Sequence, residues 1–382
     1  MIEKRRVLGS ESLTYDVGGR VTQKQKVIGS TTYPISYQYN AGGEPTQITY
    51  PSGRVAIITP DSIGRLNTVA SNTPTSVSAT IPFGTGYNAA GQILSISYGN
   101  GVTGTFTYSA ARQQLASLSY TVTPTGFATQ TLFGLNYGYM NGQADCGTGT
   151  TARNDGLIQC IQDTVDNGRS AVYGYDALNR LTSAITTGST SYPAWGLSES
   201  FDRYGNRLNQ TVTAGSGPPN SLSFATTPAP PANPPGGAYT NRPDGYSFDV
   251  SGNMLNDGAN ALAYDGENCL TSSETTMYVC DAHGIRLKKA LQGGTTTVYI
   301  FSGEKDIAEY DNGAAVTSPS REYIYAGSAL LAKIDSSGTK YYHQDHLSNR
   351  LLYRQVSFTR RQKTSVCGQA RRAERRHAES GT

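Results

Sequence analysis

The chain is poor in charge, in tryptophan and in long apolar runs. Of its 382 residues only 15% are Asp, Glu, Lys or Arg, and there is a single Trp and just four His. Charged residues usually make up roughly a quarter of a globular chain. The shortage therefore excludes coiled coils, charge-laced helical bundles and charge-driven disorder. No stretch approaches the ~18 apolar residues of a membrane-spanning helix, so no membrane span is expected. The opening MIEKRRVLGSESLTYD is basic but has no apolar core of a signal peptide. G-x-S-x-G, a P-loop, H-E-x-x-H and C-x-x-C are all missing. No catalytic residue, cofactor or metal site is expected on these grounds.

Tyrosine and glycine are abundant instead, at 26 and 43 residues. Tyr suits half-buried sheet faces and Gly suits tight turns, so the composition favours many short strands. Nine windows share one frame: an anchor residue, Asp or Asn, two variable residues, then Gly or Asn. They are Tyr15-Asp16-x-x-Gly19, Tyr39-Asn40-x-x-Gly43, Pro60-Asp61-x-x-Gly64, Tyr87-Asn88-x-x-Gly91 and Tyr175-Asp176-x-x-Asn179, the last followed by Arg180. Phe201-Asp202-x-x-Gly205, Phe248-Asp249-x-x-Gly252, Tyr264-Asp265-x-x-Asn268 and Cys280-Asp281-x-x-Gly284 complete the set. An Asp or Asn at the first corner of a type I turn bonds its side chain to amides ahead of it. Three residues later the chain turns left-handed to re-enter the sheet, which Gly does freely and Asn at small cost. Each window thus reads as the turn of one β-hairpin, closed by a glycine bulge. The expected fold is all-β: tandem β-hairpins in an antiparallel sheet.

The segments YDALNRLTS (175–183), FDRYGNRL (201–208) and YDGENCLTS (264–272) resemble YD repeats of the Rhs/teneurin type. YYHQDHLSNRLLY (341–353) is similar to the start of the Rhs repeat-associated core, with Tyr342, His343, Asp345, His346, Leu347 and Arg350 in the matching positions. The resemblance implies that the antiparallel sheet spirals into part of a hollow β-shell, and that the chain is a non-enzymatic shell segment of a polymorphic toxin or cell-surface protein, secreted or surface-exposed. Its implied partners are a C-terminal toxin and other shell segments of a larger protein. The family's cleavage motif is not found after Arg354, so the chain reads as an internal piece of such a protein. A different class of function is an adhesin that binds carbohydrate through exposed rows of Tyr. No specific nucleic-acid partner is expected.

One repeat body is expected over 1–354, with a core-like segment from about 299. Residues 214–245 hold eight of the 17 prolines and read as a long loop within one sheet, because Pro cannot donate to a ladder. Residues 355–382 form a basic tail. The last 26 residues carry seven Lys/Arg and two acids, and the remainder has a net charge of −2. The tail reads as a disordered end, with an electrostatic arm as the alternative.

Among five cysteines, pairing Ser273 with Thr276 across a two-residue turn would set Cys269 opposite Cys280, so a bond between them is expected. A second pair, Cys146 and Cys160, brackets a Gly-rich loop. Buried free thiols are the alternative for both pairs. His343, Asp345 and His346 form the one ionisable cluster. Strand alternation would put His343 and Asp345 on one face and His346 on the other, and turn formation is expected of Asp345 and His346 before any catalysis.

Overall fold

The computed structural model describes residues 9–71, 76–139, 154–202, 204–215, 246–347 and 350–354. Among them every regular element but one is a β-strand; the exception is a single turn of 3-10 helix at Asn167–Arg169. Within each sheet the strands pair antiparallel with their sequence neighbours. The hairpin frame explains this order. A tight turn every 20 or so residues leaves each strand no closer partner than the next one along the chain.

The chain divides into two compact units, with the division falling inside strand Val102–Tyr108. The first unit holds eight consecutive strands from Gly9–Tyr15 to Ser95–Tyr98. It also holds a ten-stranded sheet running from Leu262–Tyr264 to Arg350–Arg354. These two layers face each other, so the start of the chain packs on its C-terminal third. Ile35, Val69 and Val77 come from one layer, and Ile300, Ile324 and Leu331 from the other, all buried. Across the interface the Tyr33 and Tyr310 rings lie 4.9 Å apart. Tyr50 Oη donates to the Tyr323 carbonyl at 2.8 Å. Fully burying an aliphatic side chain contributes about 1.5–3 kcal/mol, so alternate apolar positions on facing strands supply the cohesion of this unit.

The second unit contains strands Leu115–Val122, Gln130–Gly138, Cys160–Asp163, Ala171–Tyr175, Leu181–Thr186, Trp195–Phe201 and Arg207–Gly215, paired in that order. Leu118, Tyr120, Leu135 and Tyr137 are buried in it, and Phe106 meets Tyr120 edge-on at 6.1 Å. A separate two-stranded ribbon pairs Ser247–Phe248 with Met254–Asn256. The Pro-rich segment therefore does not interrupt a single sheet. The long sheet stops at Arg207–Gly215, and the strands after residue 245 belong to other sheets. Residues 216–245 and 355–382 lie outside the described residues.

Candidate functional site

All nine windows close the same turn. In each, the Asp or Asn amide donates to the carbonyl four residues on, and the Gly or Asn amide donates back to the Asp or Asn carbonyl. The Gly or Asn is left-handed in every case, from φ 62° at Asn179 to φ 91° at Gly205 and Gly252. The anchor pairs with the residue six positions ahead, as in Tyr15 with Val21, Tyr39 with Pro45, Tyr175 with Leu181 and Cys280 with Arg286. This slips the register by one residue just before the anchor, which is the bulge a left-handed turn residue produces. Asp16 Oδ1 accepts from the amides of Gly18 and Arg20 at 2.8 and 2.9 Å. Asp176, Asp202, Asp249, Asp265 and Asp281 repeat that pair of contacts. The amide of Arg20, opposing desolvation and helped by its guanidinium, holds the Asp16 carboxyl below its ordinary range. Arg180 acts on Asp176 in the same way.

A second device joins three of the hairpins to the next repeat, and the turn pattern alone does not reveal it. Arg20 donates from Nε to Asp16 Oδ2 at 2.7 Å and from Nη1 to the Asn40 carbonyl at 2.9 Å. Its guanidinium lies 5.2 Å from the centre of the Tyr39 ring. Tyr39 Oη in turn donates to the Val21 carbonyl at 2.7 Å. Arg65 repeats this with Asp61 and Tyr87, and Arg180 with Asp176 and Phe201. The carboxylate fixes the guanidinium plane and the plane covers the next anchor ring; where that ring is Tyr39 or Tyr87, its hydroxyl returns to the backbone beside the Arg. The signal in the sequence is the Arg that directly follows the turn Gly or Asn. The hydroxyls of Tyr39, Tyr87 and Tyr175 all end on backbone carbonyls, so these anchors do not present free hydroxyl rows. Tyr15, the first anchor, is exposed.

The turn Tyr50–Arg54 has the same backbone bonds and a left-handed Gly53, but no Asp at its first corner. Arg54 reaches across the first unit instead. Its Nε sits 2.6 Å from Glu322 Oε2 and its Nη1 3.2 Å from Ser71 Oγ, while Ser52 Oγ donates to the other Glu322 oxygen. Arg54 is 1% and Glu322 4% exposed, so this ion pair lies inside the core.

The core-like segment 341–353 folds as a hairpin between strands Gly338–Gln344 and Arg350–Arg354, with Gln344 opposite Arg350. Asp345 lies in the turn, where its Oδ1 accepts from the Leu347 amide at 2.9 Å. Asp345 therefore does not share a strand face with His343. His343 is fully buried, its ring edge-on to Tyr98 at 4.4 Å, and burial pushes the imidazole down to about 3. Tyr341 Oη accepts from the Ser78 amide at 3.1 Å, and Tyr342 is buried beside it in sequence. His346 is also lowered by desolvation. Among the described residues no group of three His, Cys, Asp or Glu is arranged to hold a metal.

Ser273 pairs with Thr276, and the Cys269 and Cys280 sulfurs are in bonding contact with their Cα atoms 6.6 Å apart. Cys269 follows its turn Asn and Cys280 is the next anchor. The cystine thus occupies the two places that Arg and an aromatic ring fill at Arg20/Tyr39, Arg65/Tyr87 and Arg180/Phe201. Cys160 is buried in the second unit; Cys146 lies outside the described residues.

On the outer side of the ten-stranded sheet, a bulge between Ile300 and Phe301 turns Asp306 and Glu309 to one face. Glu309 accepts from Tyr323 Oη at 2.6 Å and from Arg321 Nε at 2.5 Å. Burial, then the Glu309 charge, pushes the Asp306 carboxyl up to about 8, so it keeps its proton beside Glu309.

No protein-family model and no curated protein matches the chain. Solved structures do. A crystal structure of TcdB2-TccC3-Cdc42 superposes with TM-score 0.69 and 16% identity over 90% of this chain and 19% of that one. The Tc holotoxin pore of Photorhabdus luminescens, with a mutated TccC3, gives TM-score 0.65 at 16% identity over the same shares. TcdB2-TccC3 alone gives 0.65 at 16% over 89% and 19%. The likeness defines the fold as that of an Rhs-type β-shell chain. The chain spans about a fifth of the length of the chains it resembles.

Proposed function

We propose that the chain is a wall segment of an Rhs-type toxin shell, built from YD repeats and ending in the first hairpin of the repeat-associated core. The observation that carries this reading is the superposition of 90% of the chain on shell-type toxin chains, together with a latch that couples three of the hairpins to the next repeat. Its work is mechanical. Hairpins add in sequence order, one sheet face meets a C-terminal toxin or neighbouring wall segments, and the cargo is kept from acting early. Such a segment is not an enzyme; it acts outside the producing cell, and the Cys269–Cys280 bond suits an oxidising compartment. Fusing a marginally stable reporter after Thr382 tests the idea. The reporter should be cleaved by trypsin more slowly than when joined to an unrelated β-sheet protein, and equal rates would overturn the reading.

A further inference from the structure

Between the two layers of the first unit lies a groove of about 450 Å³. Its walls are mostly hydrocarbon: Tyr37, Tyr39, Tyr50, Ile58, Ile307 and Tyr325. The polar groups on the wall are largely spoken for. Tyr37 Oη and Ser302 Oγ bond each other at 3.0 Å, and Glu44 is tied to Asn40 Nδ2 at 2.9 Å. A peptide lying there would leave its amides without partners, at a cost of roughly 1–3 kcal/mol each, so the walls fit a hydrocarbon body.

Lys305 stands at this groove, and its setting is unusual for the molecule. It sits over the Tyr325 ring at 5.5 Å, and Tyr325 Oη donates to the Asp306 carbonyl at 3.0 Å. This is the arrangement by which Arg20, Arg65 and Arg180 hold the next hairpin. Each of those three cations has a carboxylate at 2.7–2.8 Å supplied by its own turn. The two-residue turn before Lys305, Gly303-Glu304, sets no carboxylate against it: Glu304 makes no ion pair with the ammonium, which donates to the Gly327 carbonyl. An apolar groove therefore meets a half-buried cation in the one such latch, among the described residues, that lacks its anion.

We propose that this groove is a binding site for an aliphatic carboxylate, with the hydrocarbon chain between the two layers and the carboxylate on Lys305 Nζ. The ligand supplies the anion that Asp16, Asp61 and Asp176 supply elsewhere. The site is independent of the shell reading, since it rests on the first unit alone.

Equilibrium dialysis of the full chain with radiolabelled decanoate, decanol and decyltrimethylammonium tests it. Decanoate should bind saturably at one site, and decyltrimethylammonium about tenfold or more weakly, as a charge-assisted hydrogen bond replaced by like-charge repulsion requires. Lys305→Met should weaken decanoate about tenfold and leave decanol unchanged; Lys305→Arg should retain decanoate binding. Ile58→Trp, which fills the groove, should remove both. Equal binding of the three amphiphiles, no saturable decanoate binding, or unchanged decanoate affinity in Lys305→Met would each overturn the proposal. The comparison of head groups is made on the unaltered chain, so it stands even if a variant fails to fold.

Discussion

Replacing Arg54 by Met isolates the contribution of the buried pair that ties the two layers of the first unit together. Met matches the Arg stem in length but leaves Glu322, only 4% exposed, with Ser52 as its remaining side-chain donor. Breaking a buried ion pair by removing one partner costs about 3–5 kcal/mol, because the other charge is stranded. Replacing both partners by apolar groups is often close to neutral. Arg54→Met should therefore be strongly destabilising, and the double variant Arg54→Met with Glu322→Leu should recover most of the loss. The assay is hydrogen exchange of peptides covering Val55–Pro60 and Arg321–Ala326, where 3 kcal/mol or more corresponds to a loss of protection of about a hundredfold. A loss below about tenfold in the single variant, or a double variant as exposed as the single, would refute the claim that this charge pair is held dry between the layers.

Three further outcomes are expected. Gly205→Val should cost on the order of 1–2 kcal/mol of stability; a Cβ there meets nothing within 4 Å, so the cost comes from φ 91° alone. Gly205→Asn should cost much less, because Asn179 and Asn268 hold the same position, and a thermal melt in which Val and Asn behave alike would contradict the turn assignment. Acid should weaken the fold twice. The unfolded chain gains a proton that buried His343 refuses, so stability falls below pH ~6.5 toward the folded value of about 3. The turn aspartates, held low in the folded state, add to the loss below pH ~4. Asp306 has the opposite sign: its folded value of about 8 lies above the ordinary one, so its contribution is complete below pH ~4 and is lost as pH rises toward 8. Between pH ~4 and ~6.5 the two contributions oppose each other, so His343→Phe should leave stability rising on acidification across that window and Asp306→Asn should leave it falling, each changing the slope by up to about 1.4 kcal/mol per pH unit. Urea titrations across pH that show unchanged slopes in both variants would contradict these assignments.

What the sequence makes legible is what local chemistry decides. Asp16 and its counterparts bond amides two and four residues away, so spacing alone predicts the turn, the left-handed Gly and the hairpin. The Cys269–Cys280 register is legible for the same reason, since two departures from a known frame fall opposite each other. Arg54 and Glu322 are not legible, because they meet across 268 residues and nothing local marks Glu322 as the partner. Arg54 does carry a trace of its role: it follows a turn Gly like Arg20 and Arg65, yet its turn has no Asp, so its charge must be met elsewhere. Asp306 and Glu309 share a face only because a bulge breaks strand alternation, and alternation is what a reader of sequence relies on. Residues 216–245 lie outside the described residues, and whether a sheet resumes after them depends on tertiary pairing, which here gives other sheets.

The central claim is that these sheets are a wall with one face toward cargo. Thr182 and Ser183 are neighbours on strand Leu181–Thr186, half-buried, and side chains of successive strand residues point to opposite faces. A photo-crosslinking amino acid placed at each in turn, in a chain carrying a fused downstream cargo, reads the two faces separately. The wall account predicts cargo adducts from one of the two positions only. Adducts of equal yield from both, or none from either, would contradict it.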